Sequence, residues 1–244
     1  MLENLFKNND VTNQPIFYLF IAFTILISLG YSWGKRRNKR IYLSAFNDLV
    51  DLIKPKDQQF TNIGGLTGYH ANLIPKKNDI FRRVDATLTL LPRQSWLYYP
   101  FSLLTRRFDR LFLIFFLSPK KKAKWVLKEG HLIERKYSRF RGPKIENEDK
   151  LQHEDFMWGG KEYILYYEDN EVRKSLLELA NKMGAPGNIK HIAIVPEKER
   201  IFLFMIPKLR TVKENLLPVI NWINTRKFAH TDVNTNLNPN TGQN

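Results

Sequence analysis

The sequence of 244 residues contains no cysteine. This absence excludes a disulfide scaffold, a Cys-ligated zinc site, an iron–sulfur cluster and a thiol nucleophile. Histidine is scarce as well, and its five copies include no pair at the H-E-x-x-H spacing of a helical metal site. We therefore expect no metal and no cofactor, and a protein that is not an enzyme.

Acidic residues are also few, and the charge is distributed unevenly along the chain. The sequence has 39 Lys and Arg against 24 Asp and Glu, a formal net charge of +15. Residues 35–144 alone hold 25 basic and 8 acidic residues, whereas the segments on either side are each close to neutral. An excess of this kind favours an anionic partner, either a nucleic acid or a lipid headgroup surface.

The basic stretch follows a long uncharged segment. Residues 11–34 carry no formal charge, and ten of the residues from Ile16 to Leu29 are Leu, Ile or Phe. About 20 residues of helix reach about 30 Å, the thickness of the hydrocarbon layer, which predicts a membrane-spanning helix. A cleaved signal peptide and a buried core helix are the alternatives, but a signal peptide has positive charge before its apolar run, where this sequence has Glu3, Lys7 and Asp10.

The charge after this segment predicts its orientation. Five of the six residues after Gly34 are basic, and such residues stay on the cytoplasmic side of a membrane. We expect a single-pass protein with its N-terminus outside and its C-terminal domain in the cytosol, in the plasma membrane of a prokaryote or the endoplasmic reticulum of a eukaryote. The residues that set this topology are Lys35, Arg36, Arg37, Lys39 and Arg40. The predicted parts are a short extracytosolic N-terminus (1–14), the transmembrane helix (15–34), a basic juxtamembrane helix (35–55), an α+β cytosolic domain (56–228) and a disordered tail (229–244).

Strand and helix patterns in mixed order predict the α+β fold of the cytosolic domain. We place an apolar stripe of the juxtamembrane helix on Leu43, Phe46, Val50 and Ile53, and one of the last helix on Leu216, Leu217, Ile220 and Ile223. The acidic run from Glu146 to Asp155 reads as a solvated loop. Strands are predicted at 59–63, 66–73, 83–90, 111–117, 163–167, 189–195 and 201–206, and helices within 95–107 and at 172–183 and 212–228.

Three later basic clusters alternate cations with aromatic rings. This pattern suits RNA, because guanidinium groups contact phosphates while rings stack on unpaired bases. The same residues also suit binding to anionic lipid headgroups, because each basic residue near such a surface contributes about 1 kcal/mol of attraction. The sequence leaves both interpretations open. The candidate RNA-binding residues are Arg106, Arg107, Arg110, Lys120, Lys121, Lys122, Lys124, Arg139 and Arg141.

The order of these parts resembles the calumin family, the coiled-coil-domain-containing subunit of the PAT complex in the multipass translocon. The local matches are RIFLFMIP at 200–207, LLPVINWI…RKF at 216–228 and GKRRNKRIYLSAFNDL at 34–49, with a strand–helix–strand pattern from 84 to 116. The resemblance covers roughly residues 16–228. It implies an accessory factor of membrane-protein insertion whose partners are the ribosome and its rRNA, the Sec translocon and other small insertion-factor subunits.

Two departures from the family limit what the resemblance implies. The family's long basic coiled-coil tail has no counterpart in this sequence, and its acidic lumenal segment is reduced to about ten residues, so we carry over no calcium role. A membrane-anchored domain that binds only anionic lipid is the first alternative function. A membrane-tethered enzyme of unknown chemistry is the second.

Overall fold

The computed structural model describes residues 15–76, 80–105, 107–118, 128–138, 145–146 and 148–225. Within them, one long apolar helix leads into a nine-stranded antiparallel sheet with helices, so the fold is α+β as predicted. The predicted disordered tail at 229–244 and the end of the last predicted helix lie outside the described residues.

Helix α1 (Pro15–Ile53) runs without interruption for 39 residues, a length of about 58 Å. It is long and apolar enough to cross a membrane, and none of its most apolar window is buried by the rest of the protein. A core helix of a soluble protein has its apolar residues covered. That alternative is therefore wrong for the N-terminal half of α1.

The C-terminal half of α1 belongs to the core of the domain. Its buried apolar residues are Ile41, Ala45, Phe46, Leu49 and Ile53. Leu43, predicted on the buried stripe, is 40% exposed, and Val50 is half-buried. The prediction for Leu43 was wrong because a residue two positions from Ile41 lies about 200° around the helix, on its opposite side.

The sheet joins all nine strands in the order β1-β2-β3-β4-β9-β8-β5-β7-β6. Each predicted strand is confirmed, and its two ends differ from the prediction by no more than two residues. The turn from Gly64 to Gly68 links β1 and β2 as expected. Two strands, β5 and β6, were not predicted. The bounds are β1 Asp57–Asn62, β2 Gly68–Ile74, β3 Phe81–Thr89, β4 Arg110–Leu117, β5 Gly130–Glu134, β6 Gln152–Trp158, β7 Lys161–Tyr167, β8 Ile189–Val195 and β9 Arg200–Met205.

Strand β4 shows why an uninterrupted apolar run forms a strand of this sheet. Leu111, Leu113 and Phe115 are fully buried against the helices, while the residues between them are half-buried on the opposite face. On that second face the ring of Phe112 stacks on the rings of Phe202 and Phe204 of the neighbouring β9. Both faces of β4 are therefore covered in part, and so every position from Leu111 to Leu117 is apolar.

In the described part of the chain, four further α-helices follow α1: α2 (Tyr99–Thr105), α3 (Arg135–Ser138), α4 (Asn170–Met183) and α5 (Val212–Thr225). Asp169 caps α4 by accepting hydrogen bonds from two backbone N–H groups, and Gly184 ends that helix at a positive φ of 67°. The buried residues of α1, α4 and α5 form one core with the same face of the sheet. Asp48 of α1 accepts hydrogen bonds from the N–H groups of Val212 and Lys213, which fixes the start of α5 against α1.

Two further predictions were wrong. Leu217 of α5 is 45% exposed, since Val219 and Trp222 take the buried positions beside Leu216. The acidic run from Glu146 to Asp155, predicted as a loop, ends in a strand, because Glu154 and Asp155 belong to β6. That strand forms the edge of the sheet and is mostly exposed, so its residues lack the apolar alternation by which strands are recognised.

The packing of β4 predicts a difference between two adjacent phenylalanines. Phe115→Ala removes a fully buried ring and should lower the free energy of unfolding by about 3–5 kcal/mol. Phe116→Ala removes a half-buried ring under Arg83 and should cost clearly less. Denaturant unfolding of the full chain in detergent measures both, and equal losses would contradict the assigned faces of β4.

Candidate functional site

Two glycines let the domain pack closely on α1 near the end of its uncharged segment. A Cβ atom on Gly34 would lie 2.2 Å from the backbone carbonyl of Arg93, and one on Gly30 would lie 2.9 Å from the Trp96 ring. Both distances are far below a normal contact. The backbone at 93–94 therefore reaches α1 only because Gly34 lacks a side chain, and the Trp96 side chain packs directly on Gly30.

These glycines flank Ser32 in a G-x-S-x-G pattern, so our expectation from the sequence that no serine lies in this context was wrong. In esterases this pattern places a nucleophilic serine on a sharp turn between a strand and a helix. Here it lies inside the continuous helix α1, and the glycines are explained by their contacts with Arg93 and Trp96. The pattern does not form a nucleophile elbow.

A buried polar cluster fixes the same contact one turn further along α1. The fully buried Asn38 donates hydrogen bonds to the carbonyl oxygens of Leu91 (2.9 Å) and Leu66 (3.1 Å) and accepts one from Arg93 (2.9 Å). Arg93 also donates two hydrogen bonds to the carboxylate of Asp109, at 2.9 and 2.8 Å. We call Gly34, Asn38, Arg93 and Asp109 the junction cluster.

The charges of the junction cluster compensate each other. Burial disfavours the charged form of Arg93, but the hydrogen bonds and the Coulombic attraction from Asp109 outweigh it and raise the pKa of Arg93. Asp109 in turn accepts a further hydrogen bond from the N–H of Leu91, at 2.8 Å. The cluster thus satisfies a buried ion pair with a full set of partners and joins α1 to the loop before α2 and to the start of β4.

The five residues predicted to set the topology surround the junction cluster on the outer sides of α1. Each of them is exposed to solvent. They occupy the first turns after the apolar segment, at the level where α1 meets the domain. The five are Lys35, Arg36, Arg37, Lys39 and Arg40.

An unusual apolar surface lies beside the apolar half of α1. Residues 94–105, here called the 94–105 segment, include α2 and expose six large apolar side chains, with Leu97 69% and Leu104 73% exposed. Residues 94–98 of the segment line a groove with Ile27 and Tyr31 of α1, so this part lies level with the last turns of the uncharged helix. The six are Trp96, Leu97, Tyr98, Phe101, Leu103 and Leu104.

The structure describes two of the nine predicted RNA-binding residues, Arg107 and Arg110. Arg107 is exposed and lines one cavity with Arg37 of α1, although about seventy positions separate the two residues in the sequence. Arg110 begins β4 and its guanidinium group lies over the ring of Phe108. The remaining seven lie outside the described residues: Arg106, Lys120, Lys121, Lys122, Lys124, Arg139 and Arg141.

A second polar group, which the sequence did not predict, lies on the face of the sheet opposite the helices. His131 Nε2 lies 3.0 Å from a carboxylate oxygen of Glu129, and His131 Nδ1 lies 3.2 Å from Nε2 of His191. The two histidines come from the neighbouring strands β5 and β8. Burial, followed by the nearby His131, lowers the pKa of His191, so this ring is neutral near pH 7.

The histidine pair lines a cavity of about 270 Å³ with Ile114, Phe202 and Arg200. Its residue types suit proton transfer, but the described part of the chain holds no group of three or more His, Cys, Asp or Glu side chains placed to bind a metal ion. The cavity therefore defines no reaction by itself.

The fold and the junction define an α+β protein with one helix long and apolar enough to span a membrane. No protein-family model matches the chain, and comparison with curated proteins gives no match. The function is therefore argued from the residues of the junction and their surroundings.

The junction cluster predicts the effect of removing one partner of its ion pair. Asp109→Ala leaves the guanidinium group of Arg93 buried and without its carboxylate, and should lower the free energy of unfolding by about 3–5 kcal/mol. The control is Asp51→Ala. The exposed carboxylate of Asp51 lies 3.9 Å from Lys213, and its removal should lower the free energy of unfolding by about 0.5 kcal/mol or less. Denaturant unfolding of both variants measures the difference. Similar small losses would show that the cluster does not hold α1.

The neutral His191 predicts a pH dependence of stability. Its pKa is lowered in the folded protein, so below about pH 6.5 the unfolded chain binds a proton that the folded chain does not. The free energy of unfolding should fall as the pH drops through this range, by up to about 1.4 kcal/mol per pH unit. His191→Gln should reduce this slope, whereas the exposed His153→Gln should keep it. Identical slopes for all three proteins, measured by denaturant unfolding, would contradict the prediction.

Proposed function

We propose that the chain is a non-enzymatic, single-span membrane protein whose α+β domain is held against the anionic cytosolic surface of the membrane. The observation that carries this proposal is the 94–105 segment, which exposes six large apolar side chains. Three of them, Trp96, Leu97 and Tyr98, line a groove with the apolar half of α1. From the sequence, a membrane-anchored domain that binds anionic lipid is the first alternative function. This lipid-surface function is the one that the geometry supports best.

The chemistry of the segment supports contact with the interfacial layer of a bilayer. A contiguous apolar surface of this kind is costly in water and typical of binding sites for a protein or a membrane. Trp96 and Tyr98 combine an apolar ring with a polar group, the property that enriches Trp and Tyr at membrane surfaces. Trp96 lies against Gly30, and both Trp96 and Tyr98 line a groove with Tyr31 of α1, which sets the depth of this part of the segment close to the end of the predicted span.

The basic residues support the orientation of the domain. Lys35, Arg36, Arg37, Lys39 and Arg40 are all exposed in the turns that follow the apolar half of α1. Each basic residue near an anionic leaflet contributes about 1 kcal/mol of attraction. By the positive-inside rule the α+β domain then faces the cytosol and the N-terminus lies outside.

A second candidate function is the accessory role in membrane-protein insertion, with docking on the ribosome and the Sec translocon. Its support is the excess of basic residues in 35–144, the clusters at 120–124 and 139–141, and the resemblance to the calumin family. Arg107, in contrast, lies beside the membrane-proximal Arg37, a position that favours lipid contact for this residue.

The lipid-surface function predicts how the 94–105 segment exchanges its amide hydrogens. In nanodiscs that contain phosphatidylserine, its amides should exchange at least about fivefold more slowly than in nanodiscs of phosphatidylcholine alone, the factor that corresponds to about 1 kcal/mol. High salt should remove the difference because it screens the attraction. The turn at Gly159 and Gly160, at the far edge of the sheet, serves as the internal control. Exchange that ignores both lipid charge and salt would contradict the proposal.

The same phosphatidylcholine nanodiscs test the second candidate through co-sedimentation with ribosomes. Contact with RNA predicts that affinity falls with salt by a log–log slope of about −0.7 to −0.9 per neutralised phosphate. Replacing Lys120, Lys121, Lys122 and Lys124 by Gln should weaken that binding. Ribosome binding that is insensitive to both changes would contradict an RNA contact.

A further inference from the structure

We propose that the cavity between α1, α2 and the loop after β9 binds the phosphate group of an anionic phospholipid, an inference that rests on the proposed position of the domain at the membrane. The cavity has a volume of about 450 Å³, within the range of small-molecule binding sites. Among the described residues, four cationic side chains and one carboxylate line it. The cations are Arg37, Arg93, Arg107 and Lys208.

The single carboxylate does not neutralise the cavity. Asp109 already accepts two hydrogen bonds from Arg93, so these two charges compensate each other. Arg37, Arg107 and Lys208 form no ion pair among the residues that the structure describes. Three cations around one cavity repel each other, and a bound anion relieves that repulsion. Phosphate suits this set because guanidinium groups can donate paired hydrogen bonds to its oxygens.

Each cation is carried by an element that the fold holds in place. Arg37 is adjacent to the buried Asn38 on α1. Arg107 has a left-handed backbone with φ 64°, and its N–H donates to the carbonyl of Ser102 at 3.2 Å. Lys208 belongs to a loop whose Arg210 N–H donates to the hydroxyl of Ser44 on α1, at 2.7 Å. The cavity is therefore formed where three separate parts of the chain meet.

The position of the cavity favours a lipid over a free phosphate ion. Arg37 follows Gly34 by three residues, about 4.5 Å along the helix axis, which is the level of the headgroups if the span ends at Gly34. Tyr99 and Leu103 of the 94–105 segment line the same cavity and provide an apolar wall toward the glycerol and acyl region. A soluble phosphate ion would gain nothing from that wall.

Native mass spectrometry of the full chain in detergent, titrated with phosphatidic acid, tests the inference. Arg107→Gln and Lys208→Gln should each weaken the first bound phosphatidic acid about tenfold, as expected for the loss of one hydrogen bond to a charged group. Lys174→Gln is the matched control, because it removes an exposed charge from α4, outside the cavity and outside the basic residues that follow the apolar half of α1. Its affinity should stay within about twofold of wild type. Inorganic phosphate at the same concentration should not displace the lipid.

Three results would overturn the inference. Equal losses for Lys174→Gln and the cavity variants would show that only diffuse surface charge attracts the lipid. Displacement by inorganic phosphate would assign the cavity to a free anion. Unchanged affinity in both cavity variants would remove the site altogether. If the 94–105 segment still exchanges slowly in anionic nanodiscs, this inference fails alone; if that protection is absent, the proposed function fails as well.

Discussion

The close approach of the 93–96 backbone to α1 is the contact on which the rest of the arrangement depends. It requires glycine at position 34, where a Cβ atom would meet the backbone of Arg93, and the buried Asn38 holds it one turn later. Because α1 is continuous from its apolar half to the core, this contact sets the level of the whole domain along the helix. It also places the 94–105 segment beside the apolar turns, and Arg107 in the same cavity as Arg37.

The polar residues of this contact fix its geometry more than they add to stability. A buried ion pair such as Arg93–Asp109 loses much of its Coulombic gain to desolvation, so a pair of apolar residues could be equally stable. Unlike apolar packing, these polar contacts are directional. Each hydrogen bond from Arg93 and Asn38 reaches a particular acceptor and is strong only over a narrow range of angles. We infer that the junction cluster fixes how α1 leaves the domain, and thereby how the domain faces a membrane.

The sequence predicts the elements whose signal is local. The uncharged run, the apolar β4 and the amphipathic α4 are recognisable without knowledge of their neighbours, and all three are confirmed. The stripes on α1 and α5 were wrong at Leu43 and Leu217, because the side on which a helix is buried depends on what packs against it. The candidate site is built from residues that are far apart in the sequence. The side chain of Asn38 donates a hydrogen bond to the carbonyl of Leu91, 53 residues away, and no spacing rule predicts that contact.

The histidine pair shows a second limit. In a regular strand, side chains point alternately to the two faces of the sheet. Counted from Ile189 of β8, this alternation would place His191 on the same face as Ile189, toward the core. The register shifts between Ile189 and His191, and the core positions after the shift are Ile192 and Ile194. A β-bulge thus turns His191 to the opposite face, where His131 lies. One extra residue in a strand carries no clear sequence signal.

The absence of cysteine makes the central claim, that the 94–105 segment lies in the membrane surface, directly measurable. A single cysteine at Leu97 can carry a nitroxide label whose collisions with dissolved oxygen and with a water-soluble nickel complex report its depth in a bilayer. A cysteine at Met157, exposed on the edge strand β6, is the matched control. We expect the label at position 97 to be accessible to oxygen and shielded from nickel in nanodiscs that contain anionic lipid, and the label at 157 to be open to nickel. Equal access of nickel to both labels would contradict the account.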